Sequence, residues 1–298
     1  MTIRHRRPAA TEAGFILIPV LVTLGLLAVI AMAVAKTTIV DVRTAAYQLR
    51  DAEAEALADG ASRLVIRRIV ADRVAGRGAS GNLGNPAFPV DGRAVACSLP
   101  SGVAVIVAQD AGGLIDLNTA PRVLLEQLLV SADVSKDEAG RLAAAIVDFR
   151  DFDDQPEPGG AETAEYRAAG RPFGPKNAPF ASVGELDQVL GLTPAVLARI
   201  RPLVTVHSAS RGIDVDVASP PLRQLGLPLE FAVPSNGRAF HLRVTAATTF
   251  GATFTREVVF EPNLRAPTGF VTNDWRRGER FDVGLGAAPA GCFDLARD

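Results

Sequence analysis

Cysteine and histidine are scarce. Two cysteines and three histidines in 298 residues leave little from which to build a zinc site. Cys97 and Cys292 lie far apart and form no C-x-x-C, which excludes a thioredoxin-type redox motif. His5, His207 and His241 are scattered, and no G-x-S-x-G occurs, so the usual signatures of nucleophilic catalysis are missing. Aromatic residues make up only 6% of the chain, too few for the stacking platforms of a sugar-binding cleft. Charge of one sign is lacking as well. The net charge is -2, with no basic stripe or tail, so the footprint of a nucleic-acid binder is not expected.

Long apolar runs are a different matter. Phe15 to Ala35 holds 21 residues without a charge. At about 1.5 Å per residue this spans roughly 31 Å, close to a ~30 Å bilayer core. Cleavable export signals have shorter apolar regions of about 7–15 residues. Ala31-Met32-Ala33 and Ala33-Val34-Ala35 do have the small-residue form of export cleavage sites, but length favours a retained anchor. Arg4, Arg6 and Arg7 sit on the short side, which the positive-inside rule keeps in the cytoplasm. The bulk of the chain is then expected outside. There Cys97 and Cys292 can pair as one disulfide; the alternative is two part-buried thiols.

The helical pattern continues past Lys36. Ile39, Val42, Ala46, Leu49, Ala52, Ala56, Leu57, Leu64, Val65 and Ile69 recur at steps of three and four, and no proline intervenes before Pro86. This predicts one helix, apolar all round at first and amphipathic to about Val74, laying one face on a globular body. Pro19 falls near its start, where a missing N–H costs little.

Gly76 to Gly81 matches G-x-G-x-x-G, but a helix precedes it and Asn, Gly and Pro follow, so it reads as a loop. Val103–Ala108 reads as a strand. Asn118-Thr119-Ala120-Pro121 reads as a capped helix start, with Leu124, Leu125, Leu128 and Leu129 facing inward. Further helices are predicted over Lys136–Phe149, after Ser182 with Glu185 as a capping box, and from Thr193-Pro194. Ala239 to Pro262 reads as two strands about a turn near Gly251, with Trp275 close to a last strand.

Between the second and third of these helices, Asp148, Asp151, Asp153, Asp154, Glu157, Glu162 and Glu165 crowd into 18 residues. Such crowding is repulsive unless something positive is present. Calcium, which takes six to eight oxygens, suits an acidic loop shaped by Pro and Gly. The spacing is not that of an EF-hand. Asp151, Asp153, Asp154, Glu157 and Glu162 are the candidate metal ligands; the competing reading is a solvated loop paired with Arg150, Arg167 and Arg171.

A basic leader, Gly14-Phe15, and an apolar helix turning amphipathic together resemble the N-terminus of type IV pilins and pseudopilins. The resemblance implies that a prepilin peptidase cuts after Gly14 and methylates Phe15. Most of that family carries Glu at the fifth mature position, where this chain has Pro19. "GLIDLNTAPRVLLEQLL", "AAAIVDFRDFDDQPEPGGAETAEY" and "NAPFASVGELDQVLGLTPAVLARIRPLVTVHS" further resemble the general secretion pathway protein K family, minor pseudopilins of type II secretion. Phe149 stands where that family favours Trp, whereas Gly160-Ala161-Glu162 and Tyr166 fit. The family typically lacks the Glu, so Pro19 accords with it.

The resemblance implies an α+β fold: a pilin-like long N-terminal helix on an antiparallel sheet, with a large all-α domain inserted between strands. The expected divisions are a leader over 1–14, a membrane helix over 15–35, the first part of the body over 36–112, the inserted domain over 113–206, and the rest of the sheet with a tail over 207–298. It implies a non-enzymatic tip subunit of the pseudopilus, anchored by one pass in the bacterial inner membrane with its bulk periplasmic, supporting export across the outer membrane. Its partners would be minor pseudopilins I and J and the rest of the pseudopilus, with calcium in the helical domain. The alternative is a membrane-anchored helix-hairpin-helix DNA-binding protein, since "DLNTAPRVLLEQLL" and "SVGELDQVLGLTPAVLARI" resemble such units.

Overall fold

A computed structural model describes residues 17–76, 88–226 and 228–279. The chain divides into two units, residues 1–52 and 53–298. Helix α1, Leu17–Val74, runs through the division. Its first part, Leu17–Lys36, has a mean hydropathy of 2.7 with none of it buried, and is long and apolar enough to cross a membrane. Pro19 is the third described residue of this helix.

In the second unit α1 packs on a five-stranded antiparallel sheet of strand order β1-β2-β5-β6-β7. The strands are β1 Asp91–Leu99, β2 Gly102–Asp110, β5 Phe240–Thr248, β6 Thr253–Pro262 and β7 Phe270–Arg277. Alternation decides which side chains meet the helix. Ala104, Ile106 and Ala108 of β2 and Phe240, Leu242, Val244 and Ala246 of β5 face it, with Phe254, Val258 and Phe260 of β6. From α1 come Ala54, Ala58, Ala61, Val65, Ile66 and Ile69. Of the expected stripe, Val65 and Ile69 lie in this face and Leu57 packs against it, whereas other described members do not. Leu49 and Leu64 are exposed, and so is Ala56. Small alanines let the helix backbone approach the sheet closely, so the buried stripe runs through residues that carry little hydrophobic weight in a sequence pattern.

Between β2 and β5 the chain leaves the sheet to build a second core, which runs from Leu114 to Leu222. Here lie α2 Arg122–Ser131, α3 Lys136–Arg150, α4 Thr163–Ala168, α5 Pro194–Ile200 and α6 Pro220–Arg223. Leu124, Leu125, Leu128 and Leu129 of α2 meet Leu142, Ile146 and Phe149 of α3, and Phe149 stacks on Phe180 at 4.8 Å between ring centroids. The entrance and exit of this insertion are joined by a short parallel ladder, β3 Ile115–Asp116 with β4 Val204–Thr205, so the insertion is not wholly helical. Asp116 is buried and binds across it, accepting from Ser208 Oγ at 3.0 Å and Ala209 N–H at 2.8 Å.

Two local expectations fail. Helix α2 begins after Pro121 with no side-chain cap. Asn118 instead spans the fold, donating to Phe180 O at 3.0 Å and accepting from Phe180 N–H at 2.7 Å. The segment Val183–Gln188 forms 3₁₀ turns without a Ser182 cap bond. Glu185 is drawn away to Lys176 Nζ at 2.8 Å, so the capping box is not made. Thr193 does cap α5, accepting from Val196 N–H at 3.4 Å. Of the G-x-G-x-x-G stretch only Gly76 lies among the described residues, as a left-handed terminus after α1.

Candidate metal centre

Helix α3 ends at Arg150, and the acidic loop begins there. Two side chains, Asp148 and Arg122, fold the loop back. Asp148, fully buried, accepts from Glu157 N–H at 3.0 Å and Ala161 N–H at 2.7 Å. This carboxylate lies so close to Gly160 that a Cβ there would sit 1.9 Å from its oxygen, so the turn needs glycine. Arg150 points away from the loop, donating to Leu117 O and to Ala120 O, the latter at 2.7 Å. Arg122 clamps the far side through Glu157 Oε2 at 3.3 Å and Pro158 O at 3.0 Å.

The result brings Asp151, Asp153 and Glu162 together, with one carboxylate oxygen of each within 4.8 Å of the others. Glu162 is placed by the start of α4, where its N–H donates to Glu165 Oε2 at 2.9 Å. Its own carboxylate is buried, and neither oxygen has a hydrogen-bond donor. Asp151 Oδ1 is buried and undonated too. The other candidates go elsewhere: Glu157 to Arg122, and Asp154 Oδ1 to Asn177 Nδ2 at 3.0 Å.

Asn177 is the residue that sequence reading missed. Its Nδ2 also reaches Asp153 O at 2.9 Å, while its Oδ1 is buried without a donor. No acidic pattern marks it. The only sequence signal is the Lys176-Asn177 step in a Pro-rich loop, which here takes a left-handed backbone with φ of 49°.

Electrostatics agree with the geometry. Burial, followed by the charges of Asp148, Asp151, Asp154 and Asp153, pushes the Glu162 carboxyl up to about 7. Asp151 is raised by burial and then by Asp153 and Asp148. Carboxylates that resist ionisation, with orphaned oxygens converging, are what an oxygen-lined cation site presents when no cation balances it. The donor set is oxygen only, which fits a hard cation such as calcium and not a soft one.

Two arginines at the end of the second helix-hairpin-helix-like stretch make ion pairs. Arg199 is held by Ala132 O at 2.7 Å and Asp133 at 2.8 Å, and Arg201 by Asp187. Buried Cys97 on β1 is engaged in a disulfide; Cys292, Gly14 and Phe15 lie outside the described residues.

Residues 105–209 match the family of type II secretion system (T2SS) protein K. An Escherichia coli (strain K12) protein bearing the name type II secretion system protein K is 30% identical over 86 residues, 29% of this chain. The match spans about a quarter of that relative's length, 26%. The fold resembles a chain of the GspK-GspI-GspJ complex from the type 2 secretion system of enterotoxigenic Escherichia coli, with a TM-score of 0.54 and 19% identity. That likeness covers 80% of this chain and 98% of the other, and its α+β pilin-like architecture is the one described above. Residues 105–209, which carry the acidic loop and the helices around it, are thus the part of the chain that is similar to the type II secretion system protein K family.

Proposed function

We propose that the chain is a non-enzymatic minor pseudopilin, the tip subunit of a type II secretion pseudopilus that supports protein export across the outer membrane. The observation that carries this is one continuous helix. Its first part has the length and hydropathy of a bilayer span, and its second part packs on a sheet that carries the protein K segment as an insertion. A subunit of this form is stored in the inner membrane with its bulk in the periplasm. It joins an assembly by moving its apolar helix from lipid into a bundle of other helices. The insertion on top of the body bars the addition of further subunits beyond it. The partners proposed are minor pseudopilins I and J, in keeping with the complex whose fold the chain shares.

Processing after Gly14 by a prepilin peptidase, with methylation of Phe15, belongs to the same proposal. Calcium held by Asp151, Asp153 and Glu162, in a loop that Asn177 braces through its Nδ2, is its second part. The ion would supply positive charge to the loop and hold it against α3 and α4. Asp154 would serve by positioning Asn177. The third part is a disulfide from Cys97 to Cys292.

The test is intact mass and N-terminal sequencing of protein taken from inner membranes after coexpression with the peptidase. A methylated Phe15 start, with retention of pseudopilins I and J on copurification, is the expected result. A start at Met1, or after Ala33 or Ala35, would remove the pseudopilin reading.

A further inference from the structure

The insertion meets the sheet at several places, among them Arg223 on Asp91 of β1 and Val217 O on Gln109 of β2, and the chain's two described histidines meet at another. Thr205 of β4 closes the neck of the insertion, its carbonyl accepting from Leu117 N–H at 2.8 Å. Its hydroxyl faces the sheet, 2.9 Å from His241 Nε2 on β5. The same oxygen accepts from His207 N–H at 3.1 Å. The two imidazoles lie 5.7 Å apart between ring centroids, tilted by 57°. The backbone of His241 is held in register by Gln109 of β2 on one side and Val259 of β6 on the other.

We propose that His207 and His241 form an acid-sensitive latch, which ties the neck of the insertion to β5 when both rings are neutral and releases it when they take up protons. This goes beyond the pseudopilin reading and does not rest on it. The reason is the charge around each ring. The charged groups acting on His241 are His207 and Arg276 of β7, both opposing a positive ring, and burial opposes it further. Around His207, Glu261 of β6, Asp116 of β3 and Asp274 of β7 favour a proton, whereas burial and Arg238 oppose it. Burial outweighs the carboxylates at His207, and His241 is pushed down to about 4. A neutral ring serves Thr205 in either tautomer. A protonated pair would set two cations 5.7 Å apart in a site partly closed to water. Separation of the neck from β5 lets water reach both rings and removes that penalty.

The sign follows from linkage. A histidine whose folded value lies below its unfolded one, about 6.5, stabilises the closed seam fully above that value. The stabilisation fades as pH falls from there toward the folded value. The experiment is hydrogen exchange of the full chain in detergent at pH 7.5 and pH 5.0, corrected for intrinsic rates. Exchange in residues 204–207 and 240–243 should accelerate at least tenfold more than in α2 and α3 at the lower pH. His241→Gln keeps a partner for Thr205 without a titrating ring there, and should cut the difference at least threefold, to what His207 alone contributes. Equal acceleration in both proteins, or none in either, would overturn the latch. If His241→Gln does not fold, ring titration by NMR in the unaltered chain decides. A His241 midpoint below 5.5 supports the latch, and a midpoint at or above 6.5 overturns it.

Discussion

Glu162 is where the candidate centre is most exposed to test. It is buried and has no donor on either oxygen, and burial, followed by the charges of four aspartates, raises its carboxyl to about 7. A carboxyl whose folded value is raised stabilises the ion-free protein most below its unfolded value, and that contribution is lost as pH rises through 7. A calcium ion reverses the order, because it needs the ionised form. The rise in melting temperature on adding calcium is therefore expected to be larger at pH 8 than at pH 5.5, as followed by scanning calorimetry. Glu162→Gln should weaken calcium binding by at least tenfold at pH 7.5, measured by titration calorimetry, and should flatten that pH dependence. Unchanged affinity in the variant would mean that the loop's oxygens hold no ion.

Among the elements, α1 depends on one residue of β6 as much as on its apolar stripe. Arg256 is buried and donates to Asp59 Oδ1 and Glu55 Oε1, both at 2.6 Å, while its guanidinium lies 4.8 Å from the Phe254 ring centroid and 5.6 Å from that of Trp275. It thus fixes both the height and the rotation of the helix over the sheet, which alanines at 54, 58 and 61 would leave free to slide. Arg256→Ala removes the stacking and leaves two carboxylates facing an apolar strand. Those carboxylates keep some contact with water, so the expected cost is about 2 kcal/mol, read from urea unfolding. A cost near zero would assign the helix's placement to apolar packing alone. Trp275 also carries Arg63 of α1 over its ring at 5.5 Å, which explains why the chain's single tryptophan sits on an edge strand and not deep in the core.

For the whole molecule, the two cysteines bear on compartment. Cys97 is buried on an edge strand and engaged in a disulfide, a bond that is rare in a reducing cytosol and accords with the proposed placement of the bulk. Protein recovered without reductant and unfolded in denaturant should show no titratable thiol. Reduction is expected to cost about 2–4 kcal/mol of stability. Two free thiols in material from the envelope would sink both the pairing and the periplasmic placement of the bulk.

Much of this was legible along the chain. The apolar run before Lys36 is a matter of composition over one stretch, and a bilayer reads nothing else. Strands β2, β5 and β6 and helices α2, α3 and α5 follow from periodicity, since local geometry repeats every 2 or 3.6 residues. The acidic loop was visible as a cluster of charge. What tertiary structure alone decided is which members of each pattern meet. Asp151, Asp153 and Glu162 converge because Asp148 and Gly160 fold the loop, while Glu157 and Asp154 are turned to Arg122 and Asn177. Asn118 leaves its expected cap for Phe180, and Ala54 and Ala58 replace Leu49 and Leu64 as the buried face. The physical reason is the same each time. A local pattern sets the direction of a side chain relative to its own backbone. Its partner lies tens to hundreds of residues away, 197 from Asp59 to Arg256, and is chosen only when the packed elements bring the two into reach.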